Sequence, residues 1–129
     1  MFSSDAFDYV NLLDRAADAS WAREKAIAHN IANVDTPGYK RQDVEFDLTL
    51  KRAIIRTKQD NVLDAVTNLD AASLQPKVFT DYAGYSYRLD GNNVDIDTEN
   101  VELASEQIKY QALTTSLSQE FSRFKMVAK

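Results

Sequence analysis

His29 is the only histidine and the chain has no cysteine, so the side chains that most often hold zinc are nearly absent. A nucleophile–base pair would have to be built on His29, which sits among Ala28, Asn30 and Ile31 near the end of a helical stretch. Such a pair also needs an orienting acid and an oxyanion site. Asp95, Asp97, Glu99 and Glu106 match positions 1, 3, 5 and 12 of a calcium loop, but Asn100 stands where that loop requires glycine. Those carboxylates are read instead as the acidic start of a helix, placed to meet its macrodipole. The three glycines are scattered, and no Walker or dinucleotide motif occurs, so no phosphate cradle forms. No catalytic, cofactor-binding or metal-binding residue is assigned, and the chain is not expected to be an enzyme.

The stretch Asn30–Arg41, NIANVDTPGYKR, carries more information. Thr36-Pro37-Gly38-Tyr39 is a turn signal, because proline presets φ at the first central position and glycine accepts positive φ at the second. Asn33 is suited to the left-handed conformation that commonly closes a helix. Asn30 lies one turn earlier, on the face of Ile27 and Val34. An asparagine in an apolar seam fixes register at some cost in stability, and a solvated position is the plainer alternative. These six residues, Asn30, Asn33, Thr36, Pro37, Gly38 and Tyr39, form a turn and assembly motif.

Two long helices must position that motif. The first is predicted from about Asp5 to Asn33, without glycine or proline. Val10, Leu13, Ala17, Ser20, Glu24, Ile27, Ile31 and Val34 alternate at three and four residues, a heptad-like seam with two polar members. Leu12, Ala16, Ala19 and Ala26 form a second stripe beside it. The second helix is predicted from about Thr98 to Val127, capped by Asp97 or Thr98. Leu103, Tyr110, Leu113, Leu117, Phe121, Phe124 and Ala128 trace one face, flanked by Ala104, Ile108 and Ala112.

The middle is irregular. Val44, Phe46, Leu48 and Leu50 alternate as a strand would, but Phe46, Leu50, Ala53 and Ile54 favour a short helix from about Phe46 to Thr57. Thr57 to Asn93 keeps no period. Within it, Asp81 to Gly91 reads as a loop or short hairpin turning at Asp90-Gly91. The fold class is mostly α: two long terminal helices pairing as an antiparallel coiled coil, around a middle with a short helix and a small hairpin. The divisions are 1–39 (N-terminal helix and turn motif), 40–93 (irregular outer region) and 94–129 (C-terminal helix).

At 129 residues the chain is one domain at most. Its net charge of −5, from 15 basic and 20 acidic residues, argues against nucleic acid as a partner. The basic group Lys51, Arg52, Arg56 and Lys58 reads as a solvated helix face. No apolar run approaches the roughly 20 residues needed to span a bilayer. The start, Met1-Phe2-Ser3-Ser4-Asp5, lacks the features of a secretory signal peptide, so none is expected. Each terminal helix carries a second apolar stripe beyond the one used in pairing. Exposed stripes of that length mark a partner surface, so assembly is expected.

The helix end Asn30-x-x-Asn33 followed by Thr36-Pro37-Gly38-Tyr39-Lys40 resembles the flagellar axial proteins, the rod, hook and hook-associated subunits of bacteria. Asp90–Tyr110, DGNNVDIDTENVELASEQIKY, with Tyr110-Gln111-Ala112, resembles the smallest members, the proximal rod subunits. A sibling proximal subunit is the alternative, although its lead-in usually has a proline before Asn-Val, where this chain has Asn92-Asn93-Val94. The resemblance covers residues 1 to about 50 and 88 to 129. It implies a structural subunit that packs Leu13, Ala17, Ile27, Ile31, Leu103, Ile108, Tyr110, Leu113, Leu117, Phe121 and Phe124 in a helical, hollow drive shaft. It also implies export by the flagellar type III apparatus without signal-peptide cleavage, to the periplasmic rod of the basal body. The implied partners are further copies, other rod proteins, the adapter between base ring and rod, and the export gate. From another class, a coiled-coil chaperone or regulator stays open. An enzyme binding through Tyr82, Tyr85 and Tyr87 ranks below it.

Overall fold

The computed structural model describes residues 2–82 and 88–128. Helix α1 runs Phe2–Ala32, strand β1 Gln42–Glu45, helix α2 Asp47–Arg56, helix α3 Val62–Thr67, strand β2 Lys77–Thr80 and helix α4 Ile96–Ala128, with a 3-10 turn at Ala71–Ser73. The chain is mostly helical, as its periodicity predicted. Both long helices begin two or three residues earlier than expected. The start of α4 is capped by Asp95, whose Oδ1 accepts from the amides of Asp97 and Thr98 at 3.1 and 3.4 Å, in place of Asp97 or Thr98.

The contacts between α1 and α4 run in opposite sequence order. Phe7 stacks on Phe124 with ring centroids 5.3 Å apart, Trp21 meets Tyr110 at 5.9 Å, and Asn30 reaches Glu99 at 3.1 Å. In the seam, Ala17, Ser20 and Ile27 are buried, and Leu13, Ile31, Leu103, Tyr110, Leu113, Leu117 and Phe124 are half-buried. Phe121 stands half exposed at an edge-on contact with Phe124, and Ile108 is 69% exposed on the far side of α4.

The ambiguous stretch after the turn motif resolves into both readings. Gln42–Glu45 is a strand, and Phe46 caps the helix that follows. The strand pairs antiparallel with β2, Gln42 opposite Thr80 and Glu45 opposite Lys77. Neither β2 nor α3 announces itself by periodicity, since neither extends beyond two repeats of its own pattern. The expected hairpin falls partly on residues 83–87, outside the described residues, as do Tyr85 and Tyr87. Its described end is a turn in which the Gly91 amide donates to Arg88 O at 3.2 Å.

One expectation needs correction. The second stripe of α1 is covered by the chain itself. Ala19, Phe46 and Leu74 form a buried cluster, with Leu12, Ala16, Leu50, Ala53 and Leu69 packed against it. Burying a side chain such as Phe46 or Leu74 is favourable by roughly 1.5–3 kcal/mol, enough to tie the middle region to α1. The small alanines of that stripe let the middle approach closely. The flanking stripe of α4 stays exposed at Ala104, Ile108 and Ala112.

Candidate functional site

The junction after α1 is built first by its turn. The Tyr39 amide donates to Thr36 O at 3.2 Å, with Pro37 and Gly38 as the central residues and Gly38 at φ 75°. That is the geometry the four residues predicted. Gly91, at φ 77°, lies against it: a Cβ there would meet the Gly38 Cα at 3.8 Å. The Gly38 amide donates to Asp90 O at 2.7 Å, so the two glycine turns are joined back to back. Asn33 differs from its expected role. Among the described non-glycine residues only Lys58 has positive φ, so Asn33 is not left-handed. It ends the helix through its side chain, donating to His29 O at 2.9 Å and accepting from the Thr36 hydroxyl at 3.1 Å.

Asn30 is fully buried. Its Nδ2 donates to Gln42 O at 2.8 Å and to Glu99 Oε2 at 3.1 Å. Its Oδ1 accepts from the Gln42 amide and from the Tyr39 hydroxyl, both at 2.8 Å. All four hydrogen-bonding places of the carboxamide are filled. The Gln42 amide fixes which end is oxygen, so Tyr39 must give its single hydroxyl proton to Asn30. The Nδ1 of His29, 2.8 Å from that hydroxyl, must then carry a proton and donate. Burial, reinforced by the negative charge of Glu99, pushes the Tyr39 phenol above its ordinary range.

Asn92 closes the junction from the α4 side and is also fully buried. Its Nδ2 lies 2.8–3.0 Å from three carbonyls at the end of α1, those of Asn33, Val34 and Thr36, while its Oδ1 accepts from the Val94 amide at 2.8 Å. These carbonyls belong to the turn just past the end of α1, where those of Asn33 and Thr36 also accept backbone bonds from the Thr36 and Tyr39 amides. Arg88 adds a bond to Val34 O at 2.5 Å, and Lys40 donates to Gly91 O. Asn93 links outward, accepting from the Arg41 amide at 2.7 Å and donating to Asp81 O at 2.7 Å.

A chain of charges runs along the helix interface below. Glu99, 1% exposed, accepts from Arg41 Nε at 2.7 Å. Arg41 also holds Asp81 at 2.9 Å and Asp43 at 3.5 Å. Asp43 faces Arg23 at 3.6 Å, and Arg23 donates to Glu106 at 2.7 Å and to Val44 O at 2.9 Å. The Ser20 hydroxyl donates to the other Glu106 oxygen at 2.6 Å. Burial alone would lower the pKa of both arginines, but the bonds to Glu106 in one case and to Glu99 and Asp81 in the other outweigh it and raise them. Sequence reasoning gave Glu99 and Glu106 to the helix dipole and missed this role. The signal was present: they are seven residues apart and in phase with Leu103 and Tyr110 on the packing face. Asn92 and Arg41 carried no comparable signal, because their partners are backbone groups or lie far off in sequence.

The arrangement turns its polar groups on one another. Glu99 and Glu106 are turned to arginines, away from a calcium geometry. Among the described residues no group of three or more His, Cys, Asp or Glu side chains is placed to hold a metal. What the junction can do is hold α1, the β1–β2 sheet and the start of α4 in one fixed relation.

A family profile described as flagella basal body rod protein matches residues 15–40, from the seam of α1 through the turn. The chain is similar to flagellar basal body rod protein FlgB of Borrelia hermsii, 35% identical over 129 residues, 93% of this chain and 95% of that one. FlgB of Bacillus subtilis (strain 168) is 34% identical over 128 residues, 98% of this chain and 95% of its own. FlgB of Escherichia coli (strain K12) is 34% identical over 103 residues, 74% of this chain and 75% of its own.

Proposed function

We propose a structural role from one premise: this chain belongs to the FlgB family of flagellar basal body rod proteins. It is a structural protein of the basal body rod. Beyond that, we read it as a subunit of the proximal rod, which polymerises through its terminal helices into a hollow shaft that carries motor torque. The opposite running order of the contacts between α1 and α4 supports an antiparallel coiled coil as the unit that stacks. The region 40–93 would sit outside the helical layer, and the turn motif would set where the chain leaves it. Further copies and other rod proteins would cover the open helix faces. The base-ring adapter and the flagellar type III export gate would adjoin the shaft's inner end, in the periplasm, after export without a cleaved signal peptide.

The observation that carries this reading is the far face of α4. Val101, Ser105, Ile108, Ala112 and Thr115 continue at heptad spacing through Gln119 and Ser122 to Met126, and every one is exposed. None is charged, although the same helix carries Glu102, Lys109, Glu120, Arg123 and Lys125 elsewhere. A charge-free exposed stripe of about 38 Å, with apolar Val101, Ile108, Ala112 and Met126 along it, supports contact with another protein. The middle region, which covers α1, leaves it bare. Ile108→Glu tests it. The free subunit should keep its helix content and melting temperature, while cells carrying the variant should lose rods from their basal bodies and stop swimming. Normal rods and motility in that variant would overturn the proposal.

A further inference from the structure

The two edges of the small sheet are treated differently. The Asp81 amide donates to Arg41 O at 2.8 Å, so in this antiparallel register the residue pairs Asp43–Phe79 and Glu45–Lys77 also exchange bonds. Gln42 and Val44 therefore turn their backbone groups away from β2, and Val78 and Thr80 turn theirs away from β1. On the β1 side those groups are met. Asn30 takes both groups of Gln42, Arg23 takes the Val44 carbonyl, and the Asp43 carboxylate takes the Val44 amide. On the β2 side, no described residue bonds the outward groups of Val78 and Thr80. Val78 is 57% and Phe79 44% exposed beside them. The edge is short, preceded by Pro76 and opened by Lys77, but among the described residues its outward groups stay open, and open backbone groups are a template for another strand.

We propose that two copies of this chain pair antiparallel, edge to edge, through β2, with Phe79 on the twofold axis. The sequence selects the occupant and the register. Centring the pair on Val78 would set Thr80 against Pro76, which has no amide to donate. Centring it on Thr80 would set Phe79 against a carboxylate. Only the register centred on Phe79 lets Val78 and Thr80 of each copy exchange both bonds with Thr80 and Val78 of the second copy. It also sets ring against ring, and Lys77 against Asp81 of the second copy, opposite charges facing across the strands. Such a contact is isologous and closes on itself. It cannot propagate along a polar shaft, so it is separate from the far face of α4. It describes the free subunit, held in pairs before incorporation. With only a short strand from each copy, it is a weak contact that forms at high local concentration.

The cysteine-free chain makes the test direct. At the twofold position, facing Cα atoms of a non-hydrogen-bonded pair lie about 4.5 Å apart, within disulfide reach. Under mild oxidation, purified Phe79→Cys should form disulfide-linked dimers about tenfold faster than Leu63→Cys, an equally exposed control on α3. Thr80→Pro, added to Phe79→Cys, removes an outward amide without touching the β1–β2 bonds. It should bring the rate down to the control level, with circular dichroism unchanged. Should that variant unfold, Lys77→Glu decides, by slowing the reaction in the same background. Ile108→Glu should leave the rate as it was, which separates this contact from shaft stacking. Phe79→Cys dimerising no faster than Leu63→Cys, indifference to Thr80→Pro and Lys77→Glu, or loss of the dimer with Ile108→Glu would each overturn the proposal.

Discussion

The carboxamide of Asn30 meets the backbone of Gln42 as a neighbouring strand would, accepting from its amide and donating to its carbonyl, both at 2.8 Å. A helix side chain thus completes the edge of a sheet and fixes the rotation of α1 relative to β1. Asn30→Leu would leave the Gln42 groups, the Tyr39 hydroxyl and one Glu99 oxygen without this partner inside the protein. The free subunit should lose about 3 kcal/mol, read as a lower urea midpoint with unchanged slope. A midpoint within error of the parent would show that the network is dispensable.

Gly38 meets no atom within 4 Å of where a Cβ would stand, so its requirement is conformational alone. Gly38→Val should cost about 2 kcal/mol and impair motility, because a β-branched residue resists φ 75°. Gly38→Asn should cost less, since asparagine tolerates the left-handed region. Equal stability of the valine and asparagine variants would mean that the turn rearranges.

Glu106 and Arg23 form a paired, largely buried charge, with side chains 6% and 18% exposed. Removing one partner strands the other. Arg23→Met should destabilise by about 3 kcal/mol, and adding Glu106→Leu should recover part of that loss. A double variant less stable than Arg23→Met alone would contradict this account.

The raised phenol of Tyr39 sets an alkaline limit. Above its ordinary value of 10.0, the folded state still holds a proton that the unfolded state has released. Stability from this group is therefore complete below about pH 10 and falls as pH rises through the folded value. Tyr39→Phe removes the titrating group, so its stability should fall less between about pH 8 and pH 11 than the parent's. Parallel losses in the two proteins would assign the alkaline sensitivity elsewhere.

The long helices were legible because each repeats its pattern over seven or more turns, so isolated polar positions do not hide it. The turn was legible because proline and glycine each admit few backbone geometries. Leu74, wholly buried, was not: it stands between a 3-10 turn and Pro76, where no period exists to flag it. The covering of Ala16 and Ala19 by Phe46, Leu50 and Leu69 was hidden for the same reason. Tertiary packing decides it, and local pattern does not. Asn92 was quoted in a motif without a role, because its partners are carbonyls, which every sequence has.

Asn92 has a mechanical consequence. One amide group, locked in place by the Val94 amide, faces three carbonyls at the end of α1, immediately before α4 begins. The middle region joins α1 and α4 through the same knot, with Gly38 and Gly91 back to back inside it. Among the described residues, those at the junction are held by these bonds and leave no free length to act as a hinge. A twist applied to the middle region would have to break several short hydrogen bonds together before the helices could lag behind. The junction is built like a keyed joint, locking the middle region and the two long helices in rotation.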